Sequence, residues 1–141
     1  RFESVRNGLK AIESEAGVVG IHDAARPLVS RQTISTCYET AATRGNAIPC
    51  IPVNESLRKI SNNINVSVNR NEYKIVQTPQ CFILPRIREA YAQSQGTGFT
   101  DDASVFEAAG HQIVLVEGNE ENLKITSPHD LQVAAALLNG Q

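Results

Sequence analysis

Residues 18–21 form a short apolar run rich in β-branched side chains, and the chain leaves this run through His-Asp-Ala-Ala-Arg-Pro at residues 22–27. An apolar run that ends in polar and small residues and a proline predicts a buried strand opening into a loop. Ligands of open α/β sheets bind beyond the carboxyl ends of the strands. Asp23 and Arg26 are therefore candidate site residues, since a carboxylate can hold a divalent cation and a guanidinium can bind a phosphate bidentately.

Length and composition indicate one ordinary globular domain. The chain has 141 residues, of which 41% are hydrophobic and 20% charged, and this is enough to bury a core. A net charge of −2, the lack of a basic run and an aromatic content of 5% argue against nucleic acid or a membrane surface as a partner. The cysteines match no zinc or disulfide spacing and predict reduced thiols in a cytoplasmic protein: Cys37, Cys50 and Cys81.

Helical and strand-like segments alternate along most of the chain. Capping and turn residues predict helices over 4–15, 31–44, 85–95, 100–109 and 128–138, with Ser4, Ser30, Thr100 and Ser127 as N-caps. Short apolar runs predict strands over 18–21, 47–53, 112–116 and 123–125. This alternation predicts an α/β fold with a mostly parallel sheet.

Residues 54–80, here called the β-arm, have a different pattern. Three short strand-like pieces at 56–60, 64–68 and 73–76 are separated by asparagine-rich turns. An arm of this kind is too thin to bury its own apolar side chains. We therefore expect it to leave the main body and to pack against the arm of a second copy in a homodimer.

Several motifs occur in the same order as in one known family. They are Arg1 with Ser4-Val5 and Gly8-Leu9, the segment 21–27, Pro52-Val53 with Ser56, Asn69-Arg70 before 77–80, the segment 100–104, and 116–118 followed by 122–126. With these motifs the sequence resembles the 2-C-methyl-D-erythritol 4-phosphate cytidylyltransferase family of the non-mevalonate isoprenoid pathway. The resemblance covers essentially all 141 residues.

The resemblance implies a Rossmann-like nucleotidyltransferase fold and a Mg²⁺-dependent reaction of CTP with methylerythritol 4-phosphate that releases pyrophosphate. Carried over residue by residue, it implies catalytic roles for Asp23, Arg26 and Lys124, with Asp23 also as the metal ligand. It further implies nucleotide binding by Ser4, Asp23 and Ala24, and substrate binding by Ser56, Arg70 and Thr100. Ser56 and Arg70 lie on the β-arm and would reach the site of the neighbouring subunit.

The sequence also departs from this family. The family begins with a strand and a glycine-rich loop whose basic residues hold the triphosphate, and nothing here matches that segment. We therefore expect residues 1–141 to be one N-terminally incomplete nucleotidyltransferase domain that is inactive alone. Ser56 stands where the family usually has threonine, although it keeps the hydroxyl. Two alternatives stay open: a ribitol 5-phosphate cytidylyltransferase, and a non-catalytic fragment for dimerisation and substrate binding.

Most of the candidate residues also have an ordinary structural explanation. Asp23 could cap a turn, Arg26 could form a surface salt bridge, and Lys124 could be solvated. Ser4 and Thr100 could act only as helix caps, and Arg70 could be an ordinary turn residue. No histidine has a partner at a metal-binding spacing, which disfavours zinc and general-base chemistry at His22, His111 and His129.

Overall fold

Within residues 1–94, 96 and 98–139, which the computed structural model describes, the chain forms five α-helices, a short 3₁₀ helix at Arg70–Glu72 and seven strands. The helices are α1 (Phe2–Ala11), α2 (Arg31–Arg44), α3 (Leu84–Gln93), α4 (Asp102–Ala108) and α5 (Pro128–Asn139). The strands are β1 (Val18–Ile21), β2 (Asn46–Pro52), β3 (Arg58–Ser61), β4 (Ile64–Ser67), β5 (Lys74–Val76), β6 (Gln80–Ile83) and β7 (Leu115–Glu117). No helix in these ranges is long and apolar enough to cross a bilayer.

Strand β2 organises the main sheet. It pairs antiparallel with β6 and β5 and parallel with β7, and β6 in turn pairs antiparallel with β1. The α/β class is confirmed, but the prediction of a mostly parallel sheet is wrong, because the described strands form a mixed sheet. The sequence pattern did not reveal β6, a four-residue strand closely flanked by Pro79 and Pro85, and this strand lies between β1 and β2.

Helices cover both faces of this sheet. Because successive strand residues point to opposite faces, Ile48 and Phe82 enter one apolar cluster while their neighbours Ala47 and Cys81 enter another. The larger cluster receives residues of α1, α3 and α4, including Phe106, whose ring centroid lies 5.0 Å from that of Phe82. Full burial of such a side chain contributes about 1.5–3 kcal/mol. The smaller cluster packs α2 on the opposite face.

The ends of α2 follow the predicted capping. The Ser30 side chain accepts a hydrogen bond from the Thr33 amide at 3.0 Å, and Gly45 ends the helix with φ of +98°. By contrast, α1 begins at Phe2, so Ser4 lies inside the helix and caps nothing. It ends at Ala11 rather than near Glu15, because Ile12 is extended.

Helix α4 is capped one residue later than predicted. Asp101, not Thr100, is the N-cap: its Oδ1 accepts from the Ser104 amide at 2.9 Å, and the Ser104 hydroxyl lies against the backbone of Asp101. In this capping box the backbone amides of Asp101 and Ser104 each donate a hydrogen bond to the side chain of the other residue. Thr100 therefore keeps its hydroxyl free of the capping role.

The β-arm divides into an exposed hairpin and a buried return. The hairpin is β3 with β4, whose eight residues are all exposed, and Asn62 and Asn63 make its turn with φ of +49° and +65°. Two asparagines in left-handed conformation fit a tight hairpin turn, as the asparagine-rich sequence predicts. Residues 77–80 are buried in the main body.

The segment 123–125, predicted as a strand, belongs to no sheet. The Ile125 amide donates to the Ala25 carbonyl at 2.8 Å. This hydrogen bond fastens the segment to the loop that follows β1, which places Lys124 beside that loop.

Candidate functional site

The loop after β1 places the Asp23 carboxylate among three cations. Its Oδ2 lies 3.2 Å from Lys124 Nζ and 3.4 Å from Arg26 Nε, and its Oδ1 lies 3.8 Å from Arg1 Nε. The Asp23 amide donates to the Thr78 hydroxyl at 3.0 Å, which fixes the start of the loop against the chain just before β6. Residues from both ends of the sequence thus meet at the carboxyl end of β1.

These side chains line one cavity of about 300 Å³, here called the Asp23 hollow. Its wall includes Asp23, Arg26 and Lys124, together with Arg1, Thr100 and Asp101. The structure therefore brings the three predicted catalytic residues together, and it adds the predicted substrate-binding Thr100. A larger hollow of about 710 Å³ lies beside His111 and Leu115, but no lysine or arginine is among the described residues of its wall.

The electrostatic balance of the hollow keeps Asp23 ionised. Burial raises the pKa of Asp23, but the hydrogen bond and charge of Lys124 and the charges of Arg1 and Arg26 outweigh burial. The pKa of this carboxyl therefore lies below its usual range. The three cations are balanced by Asp23, Asp101 and Asp102, so the described residues give the hollow no surplus positive charge.

Arg26 and Lys124 have different surroundings. The Arg26 side chain is 12% exposed, and its Nη1 donates to the Asn122 carbonyl at 2.8 Å. The Lys124 side chain is 46% exposed and makes its ion pair only with Asp23 among the described residues. Arg26 therefore ties the loop after β1 to the segment around Asn122, while Lys124 keeps donors available for a ligand.

His22 and Asn122 support the same loop. His22 Nδ1 lies 2.8 Å from the Thr78 hydroxyl and its Nε2 lies 3.0 Å from the Arg26 carbonyl oxygen. Asn122 is fully buried, and its Nδ2 donates to the Thr78 carbonyl at 2.8 Å. Both side chains hold the backbone around Asp23.

Four predicted site residues stand elsewhere or at the margin. Ala24 is exposed in the turn directly after Asp23, and Ser4 is exposed on α1. Ser56 and Arg70 are exposed on the β-arm and are not among the described residues that line the hollow. Arg70 Nη1 donates to the Asn54 carbonyl, and this bond crosses the base of the hairpin.

Sequence reasoning missed several residues that build the hollow. Arg1 carried a signal, because it belongs to a motif shared with the resembling family, yet no role was assigned to it. Thr78 and Asn122 also lay within shared motifs. Asp102 lay within the shared segment 100–104 and in an acidic first helical turn, but neither signal showed that it is buried against Tyr91, 11 positions away, and Arg1, 101 positions away.

A mixed sheet with helices on both faces and a charged hollow at a strand end define an α/β protein with a candidate ligand site at the edge of its sheet. Over residues 1–140 the chain matches the family IspD, 2-C-methyl-D-erythritol 4-phosphate cytidylyltransferase, and it belongs to that family. The expected family resemblance is confirmed.

The relatives agree with this assignment. The chain is 49% identical over 138 residues to the 2-C-methyl-D-erythritol 4-phosphate cytidylyltransferase of Phocaeicola vulgatus and 51% identical over 138 residues to that of Bacteroides fragilis. These matches cover 98% of this chain and 63% of each relative, so the chain spans about 63% of the length of these curated relatives.

Solved structures show the same fold. The crystal structure of 2-C-methyl-D-erythritol 4-phosphate cytidylyltransferase from Thermus thermophilus matches with a TM-score of 0.88 and 37% identity, over 98% of this chain and 69% of that one. The crystal structure of 4-diphosphocytidyl-2C-methyl-D-erythritol synthase from Anaerococcus prevotii matches with a TM-score of 0.89 and 27% identity, over 99% and 64%.

Proposed function

We propose that the whole protein transfers CMP from CTP to 2-C-methyl-D-erythritol 4-phosphate in non-mevalonate isoprenoid biosynthesis. The observation that carries this proposal is the meeting of Asp23, Arg26 and Lys124 in one hollow of a chain that belongs to this family. A phosphate oxygen of the polyol attacks the α-phosphorus of CTP. The bond from that phosphorus to the bridging oxygen breaks, and pyrophosphate leaves.

Such a reaction asks the protein to bring two anions into line and to offset their repulsion. Lys124 is the half-exposed cation of the hollow, and we assign it to the phosphate of the polyol. Arg26 neutralises charge at the site and, through Asn122, holds the loop that presents Asp23. Thr100 lines the hollow and offers a hydroxyl to the substrate. Ser4 and Ala24 are assigned to the nucleotide.

Asp23 fits a magnesium ion as one ligand among several. Mg²⁺ is usually held by one or two carboxylates together with phosphates and waters. No group of three or more acidic, histidine or cysteine side chains suited to a metal occurs among the described residues, so the protein offers a shared rather than a closed site. Asp23, which Lys124, Arg1 and Arg26 keep ionised by lowering its pKa, would hold the ion, and the ion would supply positive charge to the nucleotide phosphates.

We further propose that the β-arms of two copies pack together in a homodimer. The hairpin exposes Ile60, Ile64 and Val66 to 76%, 68% and 51%, which is unfavourable in an isolated chain. In such a dimer Ser56 and Arg70 would complete the hollow of the other subunit, which explains why they lie outside the hollow of their own subunit.

The location of the protein is a separate proposal. The three free cysteines are buried, which fits the reducing environment of a cytoplasm.

The decisive experiment measures pyrophosphate release from CTP by the whole protein, with methylerythritol 4-phosphate and ribitol 5-phosphate compared as acceptors. The expected kcat/KM is at least about tenfold higher with methylerythritol 4-phosphate, a difference of about 1.4 kcal/mol in transition-state binding. A preference for ribitol 5-phosphate would transfer the assignment to that polyol. Binding of both substrates without release would reduce the protein to a binding module.

A further inference from the structure

Asp102 is a fully buried carboxylate directly behind the Asp23 hollow. The Tyr91 hydroxyl donates to its Oδ1 at 2.5 Å, and the Arg1 guanidinium contacts its Oδ2. A buried carboxylate is costly unless its charge is paired and its oxygens accept hydrogen bonds. Here both oxygens are engaged. Burial and the bond to Asp102 raise the pKa of Tyr91, so the phenol stays protonated and keeps donating.

Helix capping does not explain the burial of Asp102. The neighbouring Asp101 caps α4 through Ser104, and its other carboxylate oxygen accepts from Gln80 Nε2 at 2.8 Å. Asp102 points instead to Tyr91 on α3 and to Arg1 at the start of α1. The side-chain contacts of Asp102 are therefore with Tyr91, which holds the carboxylate, and with Arg1, whose guanidinium the carboxylate holds in place.

Arg1 lies between two acids that hold it unequally. Its Nη2 contacts Asp102, while its Nε stays 3.8 Å from Asp23 Oδ1. The side chain is 36% exposed and lines the hollow. Because Asp102 engages one edge of the guanidinium, the other N–H donors remain available at the wall of the hollow.

We infer that Asp102 is a positioning residue for the transfer proposed above, on which this inference rests: held by Tyr91, it fixes Arg1 so that the guanidinium binds a phosphate group in the hollow. A guanidinium presents its donors as a planar fork that matches phosphate. Fixing the fork before the substrate arrives reduces the conformational entropy that binding would otherwise cost.

The test is a double-mutant cycle in the whole protein with Arg1→Ala, Asp102→Asn and the two combined, and Glu107→Gln as the matched control. Glu107 is an exposed acid on the same helix. Asp102→Asn should lower kcat/KM for the phosphorylated polyol about tenfold, the scale of a hydrogen bond between charged groups, and Tyr91→Phe about threefold. In the Arg1→Ala background, Asp102→Asn should add no further loss, and Glu107→Gln should change nothing.

An equal loss from Asp102→Asn with and without Arg1 would overturn the inference, since the residue would then act only through the fold. Thermal unfolding of each variant separates the two effects, and Tyr91→Phe repeats the cycle if Asp102→Asn does not fold. A parent protein that releases no pyrophosphate would contradict the proposed function instead. In that case calorimetry measures the binding of inorganic pyrophosphate to the same four proteins. An effect of Asp102→Asn that disappears without Arg1 supports the inference, and an equal effect with and without Arg1 overturns it.

Discussion

At the Asp23 hollow, side chains from distant parts of the chain contact one another, whereas every residue of the β3–β4 hairpin is exposed. The hollow is held by ion pairs and by buried polar groups such as Asn122 and Asp102. The hairpin is held by its own register and by the turn at Asn62 and Asn63. The Asp23 hollow is thus stabilised by contacts within the chain, whereas the hairpin exposes apolar side chains that its own chain does not cover.

This difference indicates where each region obtains its stability. Unpaired members of a buried polar network are costly, and the hydrogen bonds and ion pairs of the hollow are made within one chain, although Asn122 Oδ1 has no partner among the described residues. A two-stranded hairpin is marginal in water by itself, so the hairpin depends on something packed against it. Substitutions in the Asp23 hollow should therefore lower catalytic activity, whereas substitutions in the β3–β4 hairpin should weaken dimer formation.

The largest effect is expected from Asp23→Asn in the whole protein. Removing the carboxylate leaves Lys124, Arg26 and Arg1 without their common partner and removes the candidate metal ligand. The transfer rate should fall by at least about a hundredfold. Steady-state kinetics with CTP and methylerythritol 4-phosphate measure it, while circular dichroism checks the fold. Glu120→Gln, an exposed acid outside the hollow, is the control. Activity within about twofold of the parent would remove Asp23 from the proposed chemistry.

The next effect concerns assembly. Ile64 and Val66 lie on one face of β4, and charging both with Ile64→Asp/Val66→Asp should raise the dimer dissociation constant by at least about a hundredfold, because a charge is costly to bury unpaired. Light scattering across the micromolar range measures the molar mass. Asn65→Asp, on the opposite face of the same strand, is the matched control. A parent protein that is monomeric over that whole range would contradict the proposed dimer.

A smaller effect links the two regions. Arg70→Ala should raise KM for the sugar phosphate about tenfold while changing KM for CTP little, since a charged contact to one substrate is lost. Arg58→Ala, another arginine of the β-arm, is the control. Equal changes in both KM values would contradict the assignment.

Mixing the Arg70→Ala and Asp23→Asn proteins sharpens this comparison. If sites are shared between subunits, mixed dimers contain one site with both native residues, and part of the activity returns. The expected recovery appears on mixing and is absent when either variant is incubated alone. No recovery in a sample shown to contain mixed dimers would place Arg70 outside the neighbouring site.

The smallest effect lies away from both regions, at the start of α5. The pKa of Asp130 is lowered to about 2 by hydrogen bonds from the backbone and side chain of Thr126 and from Ser127. A carboxyl with a lowered folded-state pKa stabilises the fold above its ordinary value of 3.8, and this contribution is lost as the pH falls toward 2. Asp130→Asn should lower Tm slightly at pH 6 and weaken the dependence of Tm on pH in that acidic window. Thermal scans compare it with Glu13→Gln, and an unchanged pH dependence would contradict this role.

Local chemistry made part of the fold predictable. Ser30 caps the start of α2 and Gly45 caps its end, as these residue types predict. The apolar run 18–21 is a strand that ends just before the loop bearing Asp23. The asparagine pair in the hairpin turn also follows from local conformational preference. Two adjacent residues, Thr100 and Asp101, are both suitable N-caps for α4, and the prediction of Thr100 is wrong. Asp101 is the N-cap, because it also forms the reciprocal hydrogen bond with Ser104.

The sequence alone therefore determined the helices, most strands, the family and the three residues that meet in the hollow. Only the tertiary structure decided that β6 separates β1 from β2, that Arg26 faces Asn122 while Lys124 stays open, and that Asp102 is buried against Arg1. Caps and turns depend on neighbours within about four residues. Strand order depends on pairings such as that of Val18 with Ile83, and the pairing of Arg1 with Asp102 spans 101 positions, so no local pattern encodes either.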